Sequence, residues 1–137
     1  MVIVPQLYDG DCAIASLASL TRTKWEDVYV EAVKVVRRPR EFWKRHGLYN
    51  FEVQEIARRL HWRLRPTTTF DLSVDEGILR VFWLDPEKAR ENEGGHFVAA
   101  EAGNLGCSSN CDERPWRDWL KANQAKAGTL LRVTRRP

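Results

Sequence analysis

Apolar and polar positions along this chain fall into two regimes. From Cys12 to Leu20 the residues CAIASLASL are small or apolar almost all round, which predicts a helix buried on most of its faces. Asp11, directly ahead of it, stands where an N-cap is wanted. Further on, Trp25, Val28, Tyr29, Ala32, Val33 and Val36 recur at three- and four-residue spacing, the apolar face of an amphipathic helix. The pattern Thr23-Lys-Trp-Glu26 reads as its capping box. Pro39 breaks this helix, and Asn50 is placed to cap a third with the stripe Val53, Ile56, Ala57 and Leu60. The period then changes. Runs rich in β-branched and aromatic residues at 61–65, 77–84, 96–100 and 129–133 predict strands. Residues 2–4, stopped by Pro5, read as an edge strand. PEKARENEGG reads as a polar loop, and PWRDWLKANQ as a late helix with Pro115 at its first turn. Helices first and strands mostly later point to an α+β fold with an antiparallel sheet, in one domain over 1–137.

Composition narrows the function classes. The 137 residues are 43% apolar and 30% charged, a globular profile with enough chain for a core without disulfide staples. Three cysteines cannot all pair within the chain. No apolar run approaches the roughly 18 residues of a membrane span. MVIVPQLYDGD has no basic n-region, so it is not read as a secretory signal. A reducing, cytoplasmic setting follows, in which the thiols stay free. The net charge is only +3, too little by itself to argue for nucleic acid. Arg37, Arg38, Arg40, Lys44 and Arg45, with Arg58, Arg59, Arg63 and Arg65 later, could still track phosphates, with Trp43 and Trp62 as stacking faces. Such clusters are more often the solvated sides of helices.

Candidate chemistry gathers around Cys12. A cysteine at a helix N-terminus meets unpaired amides and partial positive charge, which stabilise a thiolate. A buried, inert thiol is the competing reading. Gln6 lies close enough upstream to come beside Cys12, where a side-chain amide and a helix-head amide can share an oxyanion. His96 opens an apolar strand directly after glycine and could aim a ring nitrogen at the thiol as its base. His46 and His61 read as surface or packing residues. A third group to orient the imidazole would be Asp112, with Asn110 as its rival. Asp112 could equally cap the PWRDWL helix. Cys107 and Cys111 form a C-x3-C pair, but no second ligand pair accompanies them, so no metal and no other cofactor is expected.

Gln6, then Asp11-Cys12-Ala-Ile-Ala, then Gly95-His96-Phe-Val together resemble papain-like cysteine peptidases. The closer resemblance is to the bacteriocin-processing (double-glycine) peptidases and their small single-domain relatives. Such peptidases often carry glycine after the nucleophile, where this chain has Ala13. The resemblance implies a papain-like fold and a thiol hydrolase with Cys12 as nucleophile and His96 as proton shuttle. Gln6 would sit in the oxyanion hole, and an Asp or Asn (here Asp112) would orient the histidine. It also implies a peptide or protein substrate. The apolar run lengths and the small net charge, for their part, leave no membrane partner and do not favour nucleic acid. A cytoplasmic protein of bacterial or phage type is expected. With only eleven residues ahead of Cys12, no propeptide is expected. The alternative class is a basic α+β binding module in which Cys12 is inert and an Arg/Trp face contacts nucleic acid or protein.

Overall fold

Consecutive strand residues decide the architecture. Ile78 and Leu79, Phe97 and Val98, and Leu131 and Leu130 go to two different apolar clusters, because side chains alternate across a sheet. One sheet therefore needs cover on both faces. The computed structural model describes residues 1–91 and 95–137. Among these, the helices are α1 (Cys12–Thr21), α2 (Trp25–Val35), α3 (Arg40–His46), α4 (Asn50–Arg59), α5 (Pro86–Glu91) and α6 (Trp116–Ala122). The strands are β1 (Arg63–Thr67), β2 (Gly77–Trp83), β3 (His96–Glu101), β4 (Asn104–Cys107), β5 (Asp112–Pro115) and β6 (Ala125–Arg135). They form one antiparallel sheet in the order β1-β6-β2-β3-β4-β5. The α+β class read from the sequence is the one observed.

Helix α1 packs against β3 and β2, with α2 and α4 beside it. Nine of its ten residues are buried. Complete burial of Ile14, Leu17 and Leu20 contributes roughly 1.5–3 kcal/mol each. Inside that apolar setting Ser16 Oγ donates to the Phe97 carbonyl at 3.2 Å, which satisfies its hydroxyl and ties the helix to β3. Trp119 of α6 fills the opposite cluster with Leu79, Val98, Leu105 and Leu130. Among the described residues no helix is long and apolar enough to cross a membrane.

Several local expectations change. Residues 2–4 form no strand; the Val4 N–H is taken by Ser19 Oγ at 2.8 Å. The Thr23 capping box does not form, because α2 begins at Trp25 after Lys24 and Thr23 Oγ1 bonds to Thr21 instead. Trp25, Val28, Tyr29, Ala32 and Val36 all reach the core as predicted, but Val33 is 40% exposed and Val35 packs there instead. Tyr49, not Asn50, precedes the first turn of α4, and its N–H bonds Glu52 Oε1 at 2.8 Å. Helix α5 occupies the first part of the expected polar loop; residues 92–94 of that segment lie outside the described residues. Strands β4 and β5 and helix α3 were not predicted. Trp43 and Trp62 are 2% and 6% exposed, core residues and not stacking faces.

Candidate active site

One end of the sheet gathers the end of β2, the start of β3 and the end of β4, and the head of α1 meets it there. A cavity of about 640 Å³ opens at this junction, lined among others by Gln6, Cys12, Trp83, His96, Cys107 and Asn110. The fold thus brings Gln6, Cys12 and His96, far apart in sequence, onto one cavity.

The segment ahead of Cys12 is held from three sides. Gln6 N–H donates to the Ser108 carbonyl at 3.0 Å, Ser108 Oγ donates to Gln6 Oε1 at 3.3 Å, and Gln6 Nε2 donates to the Tyr8 carbonyl at 3.2 Å. Gly10 N–H donates to the Lys44 carbonyl at 2.6 Å, fastening the segment to the end of α3. Asp11 occupies the N-cap position of α1 but makes no side-chain cap bond. Its carboxylate, wholly buried, turns back to accept from Leu7 N–H at 2.8 Å and Trp25 Nε1 at 2.8 Å. Burial raises the Asp11 pKa, and these donors oppose the rise.

Cys12 is 9% exposed. Burial pushes its thiol up to about 11, the nearby Asp11 charge adds to the rise, and the Phe97 and Ala13 amides oppose it. The helix-head expectation of a lowered pKa is therefore reversed, because desolvation of the thiolate outweighs the favourable amides. His96, 8% exposed, is pushed down to about 4 by burial and then by the charge of Lys88. Trp83 stacks on the imidazole with centroids 5.7 Å apart, and Lys88 Nζ lies 3.9 Å from the Trp83 ring centroid.

His96 Nε2 lies 3.4 Å from Cys107 Sγ, which in turn lies 2.9 Å from Ser109 Oγ. Asp112 stands apart: it opens β5, its carboxylate pairs with Arg114 at 2.7 Å, and it does not line the cavity. Nor does it cap α6, where Pro115 holds the N-cap position. The Asn110 side chain lines the cavity but accepts the Asp112 N–H at 3.1 Å. Among the described residues no carboxylate or amide bonds to the His96 ring. His46, read as a surface residue, is exposed and also lines the cavity. His61 is exposed, with φ 70°.

Cys107, Trp83 and Lys88 were missed as neighbours of His96. A signal for the first was present: Ala102 and Gly103, with φ 53° and 81°, form a two-residue hairpin turn of the kind glycine favours. Its register pairs Ala99 with Gly106 and so carries Cys107 alongside the start of β3. All three cysteines are free. Among the described residues no group of three or more histidine, cysteine or acidic side chains could hold a metal. No family model, no curated protein and no solved structure matches this chain.

Proposed function

We propose that this chain is a papain-like thiol hydrolase acting on peptide or protein substrates in a reducing, cytoplasmic compartment. The observation that carries the reading is the convergence of Cys12, at the head of a buried helix, with His96 and Gln6 on one solvent-open cavity. With the thiol raised and the imidazole lowered, the resting pair is neutral. His96 then serves as a general base. Nε2 faces Cys107, so in this reading Nδ1 is the ring nitrogen left to take the Cys12 proton as Sγ bonds to the substrate carbonyl carbon. The oxyanion is received by the Cys12 backbone N–H and the Gln6 amide. Collapse breaks the C–N bond, His96 returns the proton to the departing amine, and water hydrolyses the thioester by the reverse roles.

Trapping tests this directly. Incubation with an activated peptide ester is expected to leave the acyl mass on the peptide containing Cys12, read by mass spectrometry. His96→Ala should slow that acylation by about 10²–10⁴-fold. Acyl mass confined to lysines, or an unchanged rate in His96→Ala, overturns the proposal.

Cys107 takes the place beside the imidazole that a carboxylate would fill in the resembled peptidases. A thiol sulfur is a weak acceptor, so it orients the ring but adds little to an imidazolium. Cys107→Asp is therefore expected to raise the His96 pKa and to shift the acid limb of the acylation profile to higher pH. The plateau rate should rise as well. NMR titration of the ring and the pH–rate profile check both; an unmoved acid limb would remove Cys107 from this role.

A further inference from the structure

The opposite end of the molecule carries positive charge that the fold leaves uncompensated. In the pairing of edge strand β1 with β6, Arg63 stands across from Arg135 and Arg65 across from Arg132. Residues so placed have side chains in reach of each other, and like charges there repel. None of these four arginines joins an ion pair among the described residues. Of the nearby acids, Glu55 pairs with Arg58 at 2.5 Å and Glu76 with Arg136, while Asp75 lines a neighbouring cleft and accepts the Asp71 N–H.

Three of these arginines, Arg63, Arg65 and Arg135, line a continuous furrow; Arg132 lines a separate cleft with Asp75 and Glu76. A cleft of about 570 Å³ runs between α4 and β1 past Phe51, Arg65 and Arg63. Through Arg58, Trp62 and Arg63 it joins a second cleft of about 340 Å³ bearing Arg135 and Arg136. Glu55 is the one acidic side chain lining either cleft. Phe51, which lines the first cleft, is 67% exposed; Tyr49 stacks beside it with centroids 5.9 Å apart, and the Arg38 guanidinium lies over the Tyr49 ring at 4.2 Å.

We propose that this furrow binds single-stranded nucleic acid, with Arg63, Arg65 and Arg135 on its phosphates and the exposed Phe51 ring under an unpaired base. Arg63 and Arg65, two residues apart on a strand, are spaced about 6.6 Å along it, on the order of the separation of neighbouring phosphates. Bound phosphates would relieve the cross-strand repulsion. The exposed Phe51 ring selects a single strand, because a duplex hides its base faces. The surface is separate from the Cys12 cavity, so the proposal does not depend on the hydrolase reading.

Fluorescence anisotropy of a labelled oligothymidylate against the full chain tests it, at salt concentrations from 50 to 200 mM. Three phosphate contacts give a log–log salt slope near −2, hence roughly 20-fold weaker binding over that range. Arg63→Gln with Arg65→Gln should flatten the slope by about 1.4 and should fold at least as stably. Phe51→Ala should weaken binding about tenfold with the slope unchanged. Cys12→Ala should bind as the parent does. Absence of binding, equal affinity for duplex or heparin, or an equal loss from the distant control Arg37→Gln with Lys126→Gln each overturns the proposal.

Discussion

Cys12→Ala is expected to lower the rate of acyl transfer by at least about 10³-fold while shifting the thermal midpoint by only a few degrees. The sulfur borders a cavity, so its removal opens little new void in the packed interior. Cys12→Ser should be nearly as inactive, because a hydroxyl in the same buried place is harder still to deprotonate. The neutral resting pair also sets the pH behaviour. The rate should fall only as pH approaches about 4, where His96 protonates. With the Cys12 thiol near 11, iodoacetamide at pH 6 should modify it more slowly than the exposed Cys111. Faster modification of Cys12 would establish a preformed thiolate–imidazolium pair and overturn the neutral one. The sign of the stability change follows from proton counting. Between pH 4 and 6.5 the folded state holds fewer protons on His96 than the unfolded chain does. Its contribution, full above 6.5, is lost as pH falls toward 4, by up to about 3 kcal/mol. Denaturant titrations at pH 7 and 4.5 should show this drop, and His96→Gln should flatten it.

Gly10→Ala is expected to damage the site through packing alone, although the residue takes no part in the reaction. A Cβ there would lie 2.2 Å from the Lys44 carbonyl oxygen and 2.4 Å from that of Trp43. Both are backbone atoms at the end of α3, and no side-chain rotation relieves the clash. The Gly10–Lys44 hydrogen bond must break, at roughly 3 kcal/mol of stability. Gly10 also directly precedes Asp11 and Cys12, so the displaced segment should misplace Gln6 and the α1 head amide. Activity should then fall at temperatures where circular dichroism still reports a folded chain. A variant with the parent's melting curve and rate would show that the close approach at Gly10 does not hold this segment.

The helical core was legible wherever neighbours in sequence set the outcome. The CAIASLASL run is buried as its composition required, and four of the predicted strands lie where β-branched and aromatic residues cluster. Cys12, His96 and Gln6 could be singled out because each sits at a recognisable kind of place: a helix head, a strand start after glycine, and the turn between. The misjudged elements share a cause. Strands β4 and β5 are short and carry glycine, cysteine and charged residues, so only pairing, of β4 with β3 and of β5 with β4, makes them strands. On α2 only the choice between Val33 and Val35 went astray, because packing against α1 and α4 decides which valine is covered.

Local pattern by itself settled the α+β class, the burial of α1 and the identity of the thiol and imidazole as candidates, since side-chain period and helix-head position are properties of contiguous residues. Which group touches His96, and the pKa values of both partners, were decided only when the chain closed on itself. Desolvation and hydrogen bonding depend on what distant segments deliver, and here they delivered Cys107 and Trp83 to the ring while holding Asp112 on Arg114.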